Sequence, residues 1–273
     1  MVNTIMEMMS HLFIQRAILV GSLVSLCAAL LGVSLVLKRY GMIGDGLSHV
    51  GFGVMTVATA LGLTTPLYIA IPGVMLFAII LLKLDENSKV KSDSAIAIIS
   101  SSALAIGVAI TSLTTGLNTD LCNFMFGSIL AMSKMDVIIS VVVSVIVAIL
   151  FIVYYRKLFI ITFDEEFAKA NGLKVKRYTN LIALLTALVI VVGMRMMGTM
   201  LISSIIIFPA LTAMRLCKSF KKVVVTSAII SVVCFLVGIY FSYVYNISAG
   251  AMIVIVNLIA FIIFTLIDKI KHS

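Results

Sequence analysis

The chain has 273 residues, 62% of them hydrophobic and 11% charged, with a net charge of +9 and a mean hydropathy of +1.25. Soluble domains are roughly 45–50% apolar and about 25% charged, so this composition excludes an ordinary soluble enzyme and implies a polytopic membrane protein. No stretch reads GxxxxGK[ST], which leaves the chain without a nucleotide-binding loop of its own.

A crossing needs roughly 20 apolar residues. The first apolar run, 13–37, exceeds the core of a secretory signal, about 7–15 residues. It follows Glu7, with no Lys or Arg before Arg16, and reads as a retained first span. Spans 43–63, 66–84 and 94–115 follow. The semi-apolar stretch 119–134 reads as a short re-entrant or interfacial helix ahead of span 137–155. Two short spans, 178–194 and 198–214, meet at a turn marked by Gly193, Arg195 and Gly198, and 223–245 and 249–267 complete the set. The expected fold is an all-α, polytopic integral membrane helical bundle of about nine transmembrane helices forming one domain over 1–273. Eight spans, with the N-terminal segment placed differently, fit the same pattern. The scattered cysteines Cys27, Cys122, Cys217 and Cys234 form no CxxC pair and read as small packing residues.

Charge orients the bundle. With nine crossings, all 20 Lys and Arg except Arg16, Lys134 and Arg195 fall on the side of the C-terminus. Basic loops stay cytoplasmic, so the C-terminus is expected inside and the N-terminus outside the cell membrane. Topology thus accounts for the basic charge, and no nucleic-acid partner is inferred from it.

One pair of polar residues does not fit a lipid-spanning segment. Asp45 lies inside a span while the other carboxylates lie in loops or at span ends, and His49 is the one histidine inside a span. Residues at i and i+4 share a helix face, about 6 Å apart along the axis. With a helix starting near Lys38, His49 lies about 16 Å along it, close to mid-membrane. A charge there costs about 2.5–3.5 kcal/mol, so the pair is expected to face the bundle interior or a polar cavity. Carboxylate oxygen and imidazole nitrogen together make half of a coordination sphere for a divalent transition metal. A purely structural pair and a proton relay use the same two groups. Glycines crowd this segment, Gly44 and Gly46 among them, and Gly193, Gly198 and Pro209 mark a second region. Interrupted spans of this kind point to a transport path, through a broken helix or a close backbone approach. Met194, Met196, Met197 and Met200 in the second region read mainly as flexible packing.

The stretch VLKRYGMIGDGLSHVGFG, residues 36–53, resembles the signature of the permease subunits of ABC importers for zinc and manganese, the ABC-3 family. FIQRAIL (13–19), FDEEFAKANGLKV (163–175), VGMRMMGTMLISSIIIFPALTA (192–213) and SAGAMIVIV (248–256) are similar to further landmarks of that family, in the same order. The chain departs from the common pattern at Gly46, where alanine is usual, and at VGFG and Ile247-Ser248, where a proline is frequent. The resemblance implies a permease of the metal-chelate type that pairs as a homodimer with two cytoplasmic ABC ATPase subunits and receives its ion from an extracytoplasmic metal-binding protein. It implies no permanently bound cofactor. The cargo would be Zn²⁺ or Mn²⁺, with Fe²⁺ equally served by oxygen and nitrogen ligands. Asp45 and His49 match the family's metal-path residues.

The loop 156–177 gains a role from the same comparison. Asp164, Glu165 and Glu166 precede Phe167 and Ala168, with Gly172 beyond, the polarity of a short helix with acids at its start and glycine at its end. The resemblance makes it the helix that couples the permease to its ATPase. Two other function classes remain at this point: an ion-coupled secondary transporter or channel without an ATPase, and an intramembrane hydrolase using Ser48 beside His49. The second is disfavoured because adjacent helical residues point about 100° apart.

Overall fold

The computed structural model describes residues 2–63, 65–87, 92–114, 125, 127 and 133–272. Among them the secondary structure is entirely helical: α1 (Val2–Ser10), α2 (Leu12–Leu37), α3 (Gly41–Ala60), α4 (Leu67–Asn87), α5 (Ser92–Leu113), α6 (Lys134–Phe163), α7 (Glu165–Ala170), α8 (Val175–Met197), α9 (Thr199–Leu216), α10 (Phe220–Tyr245) and α11 (Ala249–His272). The result is an all-α polytopic membrane bundle. Helices α2, α5, α6, α8, α10 and α11 are long and apolar enough to cross a bilayer, and α4 and α9 contain shorter apolar stretches over 67–83 and 201–216. Helix α3 has the length of a span, but Asp45, His49 and its glycines dilute its hydropathy.

Each expected span has its helix, with shifted ends. Helix α6 is the largest departure: it runs on to Phe163, so Arg156 and Lys157 lie on a helix and not in a loop. The apolar run Leu158–Thr162 keeps that last stretch docked, with Leu158 and Ile161 fully buried. Helix α1 was not anticipated. The stretch 119–134, read as re-entrant or interfacial, lies outside the described residues apart from Met125, Gly127, Ser133 and Lys134, as does Cys122.

Two helices form the centre. In their most apolar windows α2 is 67% and α8 72% buried, whereas α5 and α11 are each only 17% buried. The outer helices therefore present their apolar flanks to lipid or to another chain. Helix α2 packs on α6, α8, α9 and α10, and α3 is held among α4, α5, α8 and α9. Glycine permits a close backbone crossing on α3: a β-carbon at Gly53 would sit 2.7 Å from the Ala103 carbonyl oxygen on α5. Small residues at such crossings let backbones approach where lipid offers no hydrophobic drive between helices.

The helix ends carry identifiable stops. Ser133 and Asp136 form a reciprocal capping box at the start of α6, and the Asp164 carboxylate accepts the Phe167 N–H (2.9 Å) at the start of α7. Gly198, at φ +87°, separates α8 from α9. That backbone, with ψ at +154°, is essentially reserved for glycine and costs a residue with a β-carbon on the order of 1–3 kcal/mol.

Candidate metal path

Helix α3 presents Asp45 and His49 on one face, as the four-residue spacing dictates. Asp45 Oδ2 lies 3.7 Å from His49 Nε2, too far for a hydrogen bond between them. Ligand distances of about 2.0–2.2 Å at tetrahedral zinc place two ligand atoms about 3.4 Å apart. The observed gap is therefore within a few tenths of an ångström of the spacing a shared cation needs. The His49 side chain is 14% exposed and that of Asp45 42%, so the imidazole is set back while the carboxylate opens outward from α3. His49 Nδ1 is buried with no hydrogen-bond partner among the described residues, a polar atom that water or a ligand would satisfy.

A third side chain reaches the pair from α9. The Ser203 hydroxyl donates to Asp45 Oδ1 at 3.3 Å and leaves Oδ2 for the His49 side. Sequence reasoning missed Ser203. Its only signal was a Ser-Ser step, 203–204, within an otherwise apolar stretch. Ser48 plays no part in the pair's chemistry: it is fully buried and donates to the Asp45 backbone carbonyl at 2.7 Å, which removes the arrangement a hydrolase would need. No group of three or more His, Cys, Asp or Glu side chains that could hold a metal occurs among the described residues. Two facing donor side chains, without a third, would suit transient rather than tight cation binding.

The glycines act here by space. Helix α3 runs without interruption through Gly44 and Gly46, so the expected broken start is absent. A β-carbon at Gly46 would meet Ile96 Cγ2 of α5 at 2.6 Å, and one at Gly44 would touch Ile206 Cδ1 of α9 at 3.7 Å. Gly193 is likewise interior to α8, facing Ile202, so of the two glycines read as the turn only Gly198 makes it. Pro209 lies inside α9, where it supplies no N–H to the preceding turn. Met194, Met196 and Met197 are buried, and Met194 packs its thioether against α3 at Gly51. Nothing is placed for the side chain of Met200.

The loop read as a coupling element contains α7. Ala168 anchors it by packing on Ile161 and Val175, while Phe167 projects 56% exposed. Gly172 takes φ +74° as the chain turns toward α8. On the outer face Glu166 hydrogen-bonds Lys169 (2.8 Å), and that bond, with the carboxylate's charge, raises the Lys169 pKa above its ordinary value. Glu165 points the other way. It pairs with Lys38, which also donates to Thr179 Oγ1 (3.3 Å) and whose side chain is only 4% exposed. Lys38 stands three residues before α3 begins, so α7 is tied to the lead-in of the helix that carries Asp45 and His49. A second ion pair ties α6 to α8: Arg195 Nη2 lies 2.6 Å from the buried carboxylate of Asp136.

The chain matches the ABC 3 transport family over residues 10–268. It is 30% identical over 250 residues to a manganese transport system membrane protein, MntC, of Halalkalibacterium halodurans, covering 92% of this chain and 85% of that one. It is 32% identical to the high-affinity zinc uptake system membrane protein ZnuB of Haemophilus influenzae, over 90% of this chain and 94% of that one. Among solved structures, PsaBC from Streptococcus pneumoniae in complex with Fab superposes with a TM-score of 0.87 at 32% identity, covering 96% of this chain and 94% of that one.

Proposed function

We propose, from the premise that the chain belongs to the ABC 3 transport family, that it is the membrane permease of an ABC-type importer for a divalent metal, Mn²⁺ or Zn²⁺, and that Asp45 and His49 bind the ion in passage. ATP hydrolysis belongs to a separate cytoplasmic subunit, since no P-loop occurs in the sequence. The observation that carries the ligand assignment is the facing pair: a carboxylate and an imidazole held 3.7 Å apart on a largely apolar helix, one ring nitrogen buried without a partner among the described residues. Ser203 holds one carboxylate oxygen and turns the other toward the ring. Water, or a second copy of the chain, completes the coordination. Manganese and zinc relatives match this chain about equally well, and oxygen plus nitrogen donors serve both metals.

In this reading α2 to α6 and α8 to α11 cross once each, nine crossings in all, with the C-terminus cytoplasmic and the N-terminus outside. The two long-range ion pairs support that arrangement. Lys38 and Glu165 both fall on the expected cytoplasmic side, and Asp136 and Arg195 both on the opposite one. The permease works as a homodimer, with α7 docking each copy on one ATPase subunit through the exposed Phe167 and its acidic neighbours. An extracytoplasmic metal-binding protein delivers the ion.

The test is metal content. In cells whose own copy is deleted, Asp45→Ala and His49→Ala should each abolish accumulation of manganese and zinc, while both variants still copurify with the ATPase. Wild-type accumulation of both metals in both variants removes the assigned role. A fully active chain that never associates with an ATPase removes the ABC assignment instead.

A further inference from the structure

A cavity of about 520 Å³ opens between α6 and α8, away from the metal path and close to α7. Lys157 and Arg177 line it together with Tyr154, Tyr178 and Asn180, and none of its lining residues is acidic. Lys157 is held in place by two aromatic rings. Its ammonium sits 5.8 Å from the ring centre of Tyr154 and 5.4 Å from that of Tyr178, and the two rings lean together at 5.9 Å. Aromatic faces position a cation and leave its charge available to an anion.

The cavity is amphipathic along the membrane normal. Lys157 lies six residues before the end of α6, about 9 Å along its axis, and Arg177 lies in the first turn of α8. Both heads therefore stand where these spans leave the hydrocarbon. Leu150, about 10 Å deeper on α6, and Leu181 of α8 form an apolar wall below them. Cations and tyrosines above a leucine-lined slot complement a phosphodiester above an acyl chain, and basic pockets between membrane helices on the cytoplasmic side hold anionic headgroups in this way.

We propose that this cavity binds an anionic glycerophospholipid. The phosphate lies between Lys157 and Arg177, Asn180 and the tyrosine hydroxyls meet the headgroup, and an acyl chain runs along Leu150 and Leu181. The bound lipid bridges the two helices from which α7 is suspended. The proposal goes beyond the metal reading: it requires that α6 and α8 cross the membrane, not that Asp45 and His49 bind a cation.

The full-length chain, delipidated in neutral detergent, is titrated with a phosphatidylglycerol and a phosphatidylcholine of the same acyl chains, with binding read by native mass spectrometry and thermal shift. At about fivefold per cation, the pair should favour phosphatidylglycerol about 25-fold. Lys157→Gln/Arg177→Gln should abolish that preference, each single change should reduce it about fivefold, and Lys218→Gln/Lys221→Gln, at another cytoplasmic charge cluster, should retain it. The single variants report even if the double variant folds poorly. Equal binding of the two lipids, or a preference that survives the double substitution, overturns the proposal. So does displacement of phosphatidylglycerol by millimolar inorganic phosphate or ATP, which would mark a general phosphate site. Protection of Lys157 from acylation by the purified ATPase without added lipid would mark a protein-docking surface and overturn it equally.

Discussion

A carboxylate set in an apolar bundle needs polar neighbours, and Asp45 has two. His49 faces one oxygen at 3.7 Å and Ser203 donates to the other, so the group is oriented from both sides. Ser203 acts through Asp45 and is a positioning residue. At 3.3 Å its bond is long, and its loss should cost about 1 kcal/mol, below the usual range of about 1.5–3 kcal/mol for hydrogen bonds to charged groups. Ser203→Ala should therefore raise the half-saturating metal concentration of uptake roughly fivefold with little change in the maximal rate, and Ser203→Thr should restore most of the loss. Radioactive manganese uptake across a concentration series would check both. Asp136 shows the opposite use of a buried acid. It is 1% exposed, caps α6 through Ser133 and pairs with Arg195 at 2.6 Å, so its capacity is taken up by the fold. Both carboxylates are polar groups at membrane depth or its edge. The one with an unfilled partner position is the one suited to a passing ion.

At the scale of elements, Lys38 joins two motifs that lie 127 residues apart. The residue after it, Arg39, takes a left-handed backbone at φ +61°, which turns the chain sharply from α2 into α3 and leaves the Lys38 side chain under α7. The pair thereby links α7 to the turn that leads into α3, whose first residue, Gly41, lies four positions before Asp45. Glu165→Lys should cut metal uptake severalfold while ATP hydrolysis by the assembled complex continues. Lys38→Glu/Glu165→Lys should recover a substantial part of the uptake. Failure of the swap to recover anything, with the complex intact, would reduce the pair to a local contact. This connection was not legible in the sequence, and the reason is physical. Apolar runs and helix-end signals describe one helix at a time, so they marked out the long helices seen among the described residues, the acid-led α7 and the stop at Gly198. The extent of α6 was lost because Arg156 and Lys157 look like loop residues, yet long basic side chains can leave a helix for the interface. Ion pairs between distant helices, Lys38–Glu165 and Asp136–Arg195, leave no periodic trace. For the candidate site, the i, i+4 spacing revealed Asp45 and His49, while Ser203 became visible only when α9 was laid beside α3.

For the whole molecule, the proposed arrangement of sides rests on where the unbalanced charge lies. The three basic residues expected outside are few, and one of them, Arg195, is already paired with Asp136. On the other side Arg156, Lys157, Lys174 and Arg177 flank α7, and Arg215, Lys218, Lys221 and Lys222 flank the short link between α9 and α10. Reversing the bundle would carry both clusters across the bilayer, at about 2.3 kcal/mol per charge for every 100 mV of opposing potential. The two faces can be told apart by one reagent. Ile247 is 44% exposed in the link between α10 and α11, and Lys218 is exposed one helix earlier. In a background lacking the native cysteines, Ile247→Cys should react with a membrane-impermeant maleimide in intact cells, and Lys218→Cys only after permeabilisation. Helix α10 is 26 residues long, about 39 Å, enough to put those two positions on opposite surfaces. Labelling of both in intact cells would mean that α10 does not cross, and the nine-span order would fall with it. Labelling of Lys218→Cys alone would invert the chain and place α7 outside, where no ATPase can reach it.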